Sequence, residues 1–363
     1  MHFFMPSGAL LKTMLKTRYI ASLFITVIFV ASLSASEWTL KDGVNTVESA
    51  KVDPPGRKVD IALDGKLVAR FIYENNPEVP RGKGQIKPYL HVFGEDGDCL
   101  TEWDPKQTFP HHRGIFIGWN KIGSDLGGPP KKGTTEKDPK GTFDLWHFNN
   151  GGQMQVLKFE KLEGGPDKAT LVATIAWRAG NKDESGSDLL LTETRTLVIS
   201  RPAPGKTQID AKFELKPARD LSLGGDLQHS GVHFRSTAEI TLQKRNTETG
   251  YVWEPEVPNP GGRALSKEFK YARLILPVGS HWYSVTQLNP PSNPVEEWSW
   301  RDYGRFGFFF KKELKKDEVL ALNYRFLTEF DANRKAKFSA DEKPEQRKQA
   351  QAEYDEYVKA LAK

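Results

Sequence analysis

Histidine, arginine and tryptophan gather in a few short stretches of this sequence, and those stretches are where chemistry would sit. Seven of the eight histidines lie beyond residue 90: His91, His111, His112, His147, His229, His233 and His281. The first dense block is Pro110-His111-His112-Arg113-Gly114. In an extended segment neighbouring side chains point to opposite faces. His111 then shares a face with Arg113, Ile115, Ile117 and Trp119, and His112 shares one with Gly114, Phe116, Gly118 and Asn120. Two glycines on the second face leave room for a ligand, which favours His112, although a bend at the start of the strand would present both. The plainer alternative is a histidine hydrogen-bonded at a strand entrance.

The second block runs from Leu227 to Arg235. Val232 and Phe234 suit a core, so His229, Gly231, His233 and Arg235 are expected on a solvent-accessible, concave face. Four residues of straight strand span ~13 Å, too far for His229 and His233 to share one metal ion through bonds of ~2.0–2.1 Å. They read as separate contacts along a groove. A metal held with His111 or His112 is the lesser reading, and no metal ligand is assigned.

Carboxylates near these blocks are Glu102, Asp144 and Asp226, with Glu296, Glu297 and Asp302 further on. Acid/base chemistry needs a donor and an acceptor whose pKa values are pushed apart by their surroundings. Asp144 stands two residues from Trp146, on the same face if the segment is a strand, and is the first carboxylate to test; a surface aspartate at a turn is the alternative. Tryptophan offers a flat apolar face with a polar handle, which suits the C–H side of a pyranose. Two or three of Trp103, Trp119, Trp146, Trp253, Trp282, Trp298 and Trp300 are expected to line a site and the rest to be core. Arg301 and Tyr303 share a face with Glu297 if that segment is extended; the guanidinium would bind hydroxyls or a carboxylate, or form a surface salt bridge. The residues thus assigned are His112, His229 and Asp144 for catalysis, and His111, Arg113, Trp146, His233, Arg235, Arg301 and Tyr303 for substrate contacts.

No nucleotide loop, Ser-His-Asp order, zinc-protease motif or EF-hand loop is visible, so no cofactor is expected. Glu95-Asp-Gly-Asp98 lacks the further spaced ligands of a calcium loop and reads as a turn. Cys99 is the only cysteine, which excludes an internal disulfide; it reads as a small buried residue, with a reactive thiol as the alternative.

The elements that must position these groups are strands. Apolar residues recur in short alternating runs closed by Gly, Pro or Asp clusters. Ile61–Tyr73 divides at Asp64-Gly65 into a hairpin, because that dipeptide accepts the positive φ values of the turn; Tyr89–Glu102 repeats the pattern around Asp96-Gly97. Longer strands follow at Gln153–Leu162, Ala169–Arg178, Leu189–Ser200 and Thr207–Leu215. Such a series implies an antiparallel meander and two stacked sheets, hence an all-β antiparallel sandwich over residues 36–335. Helical spacing appears only in the tail, 336–363, where Tyr354, Tyr357, Val358 and Leu361 share a face, with Ser339 and Glu342 as a capping box and Pro344 in the first turn. The polar stretch Gly123–Gly141 has the length of a lid or rim.

Residues 1–35 have the order of a secretory signal peptide: Lys12, Lys16 and Arg18, an apolar run from Ile20 to Val30, then Ala31, Ser32, Ser34 and Ala35. Translation from Met14 would leave the leader complete. The run is shorter than the ~20 residues of a membrane span, and no cysteine marks a lipoprotein. The expected product is soluble, secreted or periplasmic, and begins between Ser34 and Trp38. Losing three positive charges takes the net charge from +5 to +2, which leaves no concentrated basic stripe for nucleic acid.

The Pro88-Tyr89 strand, the Gly-Glu-Asp-Gly turn, Pro110-His-His-Arg-Gly114, Phe143-Asp-Leu-Trp146, Asn289-Pro-Pro-Ser-Asn293 and Trp300-Arg-Asp-Tyr-Gly304 together resemble the PmoA-like family of secreted bacterial proteins, over roughly residues 60 to 330. His-His-Arg-Gly is the most specific part; Asp-Leu-Trp stands where Asp-Phe-Trp is more usual. The family's methane-oxygenase label looks transferred, since this chain has none of the membrane spans such a subunit needs. The resemblance implies a galactose-mutarotase-like supersandwich, similar to aldose epimerases that use histidine and a carboxylate. The resulting expectation is a carbohydrate-active protein working by acid/base chemistry of epimerase, lyase or hydrolase type. A non-catalytic carbohydrate-binding protein is the alternative, and a metal-dependent oxygenase comes last.

Overall fold

The alternating runs become strands because each carries one apolar face that a second sheet must cover. The computed structural model describes residues 36–45, 56–75, 87–101, 109, 111–127, 141–148, 152–180, 182–226, 228–256, 263–266 and 268–363. The leader, Glu102, Trp103 and most of the Gly123–Gly141 stretch lie outside them. Among the described residues the protein is mostly β, with three antiparallel sheets and one long helix at the C-terminal end. No described helix is long and apolar enough to cross a membrane.

An eight-stranded sheet is built on the expected meander: Gln153–Glu163, Lys168–Arg178, Leu189–Ala203 and Lys206–Pro217 are successive neighbours, followed by Leu320–Phe330, His281–Leu288, Tyr271–Val278 and Gly250–Glu254. Burial alternates along Lys206–Pro217, which turns Ile209, Ala211, Phe213 and Leu215 inward. The facing nine-stranded sheet has Trp38–Asn45 at its edge, then the hairpin Gly56–Leu63 and Lys66–Asn75, whose turn residues Asp64 and Gly65 take φ values of 51° and 78°. It continues through Tyr89–Val92, Ile115–Trp119, Ser230–Arg235, Arg305–Phe309 and Glu297–Arg301. Ile61, Ile117, Val232, Phe234 and Phe306 pack against Leu171, Ile175, Leu197 and Phe213 in one continuous core. Within that core Glu193 and Arg195 form a fully buried ion pair.

The second expected hairpin is cut short. After Tyr89–Val92 the Asp96-Gly97 turn returns only through an isolated bridge between Phe93 and Cys99. Asp98 is instead held by the His281 ring at 2.8 Å and the Tyr283 hydroxyl at 3.0 Å, which pulls the returning arm away from a ladder.

The tail forms the helix Lys343–Leu361, preceded by the Ser339/Glu342 capping box, with Pro344 in its first turn. Ala350, Tyr354, Tyr357 and Val358 pack on Tyr271, Leu288 and Leu327 of the eight-stranded sheet. Leu361 does not join them; it is 48% exposed, because the apolar patch ends at Val358. Glu353 anchors the helix by accepting hydrogen bonds from Arg273 and Lys206, each at 2.6 Å.

The face of the nine-stranded sheet turned away from this core carries a separate cluster of Ile72, Tyr89, Phe116 and Trp146. Phe116 is paired in register with His233, which puts that histidine on the same face. The candidate site is built there.

Candidate functional site

Ile115–Trp119 starts only after Gly114, whose φ of 51° bends the chain; a Cβ at Gly114 would lie 2.3 Å from the Leu90 carbonyl oxygen. Upstream of that bend the segment lies outside the strand, so strict face alternation does not apply to it. Both histidines therefore reach one place, with ring centroids 4.2 Å apart. Gly118 also has a use other than the expected one. A Cβ there would meet the Leu145 carbonyl oxygen at 2.5 Å, so the glycine admits the chain's own backbone rather than a ligand.

Residues 145–147 form a turn rather than a strand, which changes the reading of Asp144. One carboxylate oxygen accepts from the backbone N–H of Trp146 at 2.9 Å and of His147 at 2.8 Å. The other pairs with Nδ1 of the His147 ring at 2.9 Å. Burial opposes ionisation of Asp144, but the hydrogen bonds from His147 and Trp146 outweigh it and hold the pKa below the ordinary value. Asp144 is thus an orienting carboxylate for His147.

The same local device recurs before Ser230–Arg235. Asp226 accepts from the Gln228 backbone N–H at 3.0 Å and pairs with the His229 ring through Nδ1 at 2.8 Å, while Asn120 donates to its second oxygen at 2.8 Å. Burial again opposes the charge and the His229 and Gln228 bonds prevail, so its pKa is lowered. An ionised carboxylate on Nδ1 fixes the proton there and leaves Nε2 with its lone pair. The signal lay in the sequence as two copies of Asp-Leu-x-His, at 144–147 and 226–229. His147 was missed because each histidine was weighed for its own strand face.

Four imidazoles converge. His147 lies 4.4 Å from His111 and 4.6 Å from His229 between ring centroids; His229 lies 5.9 Å from His111 and 6.4 Å from His112. Nε2 of His111 and both ring nitrogens of His112 are buried without a hydrogen-bond partner. Burial, reinforced by neighbouring positive groups, pushes His111 down to about 2 and His112 well below its ordinary value, so both are neutral in the folded protein. Burial also lowers His229, against the pull of Asp226. His111, His112 and His229 each offer a ring nitrogen within 4.8 Å of the others, the donor set that a transition metal takes.

Surrounding residues hold this group in place. Lys87, unmarked in the sequence, is buried and donates to the carbonyls of His111 at 3.1 Å and Trp146 at 2.8 Å, tying the two histidine segments together. Burial lowers its pKa well below the ordinary lysine value. Trp146 is fully buried between His112, His233 and Phe116, so it forms a floor and not an open stacking surface. Phe109, which is 38% exposed, stacks on Tyr303 at 5.1 Å, and both rings lie beside His112. This pair is the aromatic wall of the site. Trp253, Trp298 and Trp300 stack on one another away from the imidazoles, and Trp119 packs on Trp177 in the core.

The expected exposed groove along Ser230–Arg235 is overturned. Val232 and Phe234 are buried as expected, but every residue of the strand is buried, including His233 and Arg235. His233 uses both nitrogens: one pairs with the Ser230 carbonyl at 2.8 Å, the other with the Arg305 guanidinium at 2.9 Å. Its role is to fix the turn that carries His229. Arg235 donates to the Tyr303 carbonyl and lies over the Tyr303 ring at 4.7 Å, supporting the aromatic wall from behind. Arg113 is buried over the Tyr89 ring at 5.9 Å. Arg301 donates to the Trp300 carbonyl at 2.7 Å, and Tyr303 sits in the turn after its strand, so the two do not share a strand face. The buried arginines and His233 were misassigned for one reason: alternation gives the face of a side chain but not what covers that face.

Among solved structures, the chain is similar to a galactose mutarotase related enzyme from Lactobacillus acidophilus, at 7% identity over 75% of this chain and 97% of that one, with a TM-score of 0.38. No curated protein matches the sequence. Residues 58–340, which hold every histidine described above, match a family of unknown function, DUF6807, and the chain belongs to that family.

Proposed function

We propose that this protein is an enzyme that acts on a polyhydroxylated substrate of the carbohydrate class at the histidine pocket. The convergence of four imidazoles, two of them oriented by their own carboxylates, carries the reading. Neutral imidazoles accept protons or coordinate, and fixed Nδ1 protons direct the Nε2 atoms of His147 and His229 outward from their carboxylates. Phe109 and Tyr303 supply the flat apolar face on which the C–H side of a sugar ring packs. Buried positive charge beside the pocket, at Arg305, favours a transition state that gains negative charge. The PmoA-like resemblance belongs to the same reading, without the oxygenase activity of its label.

Titration against a glycan panel with mass-spectrometric product analysis tests it. A glycan converted by the natural protein and spared by His229→Gln is the expected result. Conversion that survives His229→Gln unchanged would remove the pocket from the reaction, and binding with no conversion across the panel would make the protein a carbohydrate-binding module instead.

Export is part of the proposal. The Glu37 backbone N–H donates to Asp64 and the Trp38 N–H to the Gly165 carbonyl, so a cut at or before Glu37 spares the first strand. N-terminal sequencing of exported material should read a start between Ser34 and Trp38; a product that keeps Ile20–Val30 in a membrane fraction contradicts it.

A further inference from the structure

We propose that His111, His112 and His229 hold a single divalent first-row transition ion, with zinc as the best match. This deepens the reading above by giving the same pocket its electrophile. Three observations carry it independently of any substrate. The three donor nitrogens lie within 4.8 Å of one another. An ion ~2.0–2.1 Å from each would space tetrahedral donors roughly 3.3 Å apart, so small ring rotations close the site.

The second observation is the unspent donor capacity. Nε2 of His111 and both nitrogens of His112 are buried with no partner, an arrangement that costs free energy unless something binds there. The third is the Asp226 carboxylate on Nδ1 of His229, the outer partner that metal-bound histidines usually have. All three donors are ring nitrogens, and the nearest carboxylates are engaged with the far sides of His229 and His147. That excludes calcium and magnesium, which need oxygen ligands, and selects a metal suited to imidazole. Three protein ligands leave a position open for water or a substrate hydroxyl. His147, oriented by Asp144, has its ring 4.4 Å from that of His111, so it would be at hand as a base for a group bound there.

The test uses the whole mature chain, stripped with a chelator and titrated with Zn²⁺ by calorimetry and with Co²⁺ by visible absorption. A single equivalent should bind, with the intense cobalt bands of a four-coordinate nitrogen site. His229→Gln should abolish this binding, and Asp226→Asn should weaken it by about 10- to 100-fold. Both residues are partly exposed, so these variants should fold, which circular dichroism checks. Asp98→Asn is the control, because Asp96, Asp98 and His281 also bring donor atoms together; it should bind like the natural chain. Absence of binding, binding unchanged in His229→Gln, or binding lost only in Asp98→Asn would each overturn the assignment. Since no substrate is present, the metal assignment and the sugar reading fail separately.

Discussion

Replacing His112 with phenylalanine should reduce turnover or ligand binding by about 100-fold or more and leave the melting temperature of chelated protein unchanged or higher. The two halves have one cause. His112 is 3% exposed, and neither ring nitrogen has a partner. A buried polar group left in that condition costs about 1–3 kcal/mol, whereas phenylalanine would fill the space between Phe109, Phe116 and Trp146 with ring contacts and no desolvation cost. A histidine kept there against stability is kept for what it binds. Thermal melts with and without chelator, beside an activity or binding assay, decide the matter. If His112→Phe melts well below the natural chain and still binds normally, His112 is a structural residue.

Much of the fold was legible because the sequence states it locally. Asp64-Gly65 fixes a hairpin through its own φ preferences, and the long strands announce themselves by alternation that the burial pattern then repeats. The helix was visible from its cap and one apolar face, apart from Leu361, since a face can be read from spacing and the extent of its partner cannot. The site was legible by residue type only. The blocks around His112 and His229 stood out, and His111 joined them through a bend at Gly114, the alternative weighed beside the strand face, which alternation by itself could not choose. Alternation put His233 and Arg235 on the correct face and said nothing of the 144–147 turn that covers it. His147 needed the Asp-Leu-x-His repeat to be read as one unit, a carboxylate aimed at a ring three residues on. Lys87 left no local trace, because its work is done on the carbonyls of residues 24 and 59 positions away.

That lysine leads to the support beneath the site and to the largest expected loss of stability. Glu193→Ala should destabilise the protein by about 3–5 kcal/mol, the usual consequence of leaving one charge of a buried pair alone. Glu193 is fully buried and accepts from Arg195 Nε at 2.6 Å, from its Nη2 at 3.1 Å and from the Trp177 indole at 2.7 Å. The same guanidinium crosses between the sheets to the Pro88 carbonyl at 2.8 Å and lies against the Phe71 and Phe213 rings. Pro88 follows Lys87, which pins His111 and Trp146, so one chain of hydrogen bonds runs from the ion pair in the core to the histidine segments. Without Glu193 the Arg195 charge has no anion among its hydrogen-bond partners and is drawn towards water. The melting temperature should fall by roughly 10 °C, and metal or ligand binding should weaken although the substitution lies on the far side of the sheet. Glu193→Met combined with Arg195→Met separates charge from position: with both charges gone most of the stability should return, while the Pro88 contact stays lost and binding stays weak. Recovery of binding together with stability in that double variant would show that the Arg195–Pro88 link does not position the site.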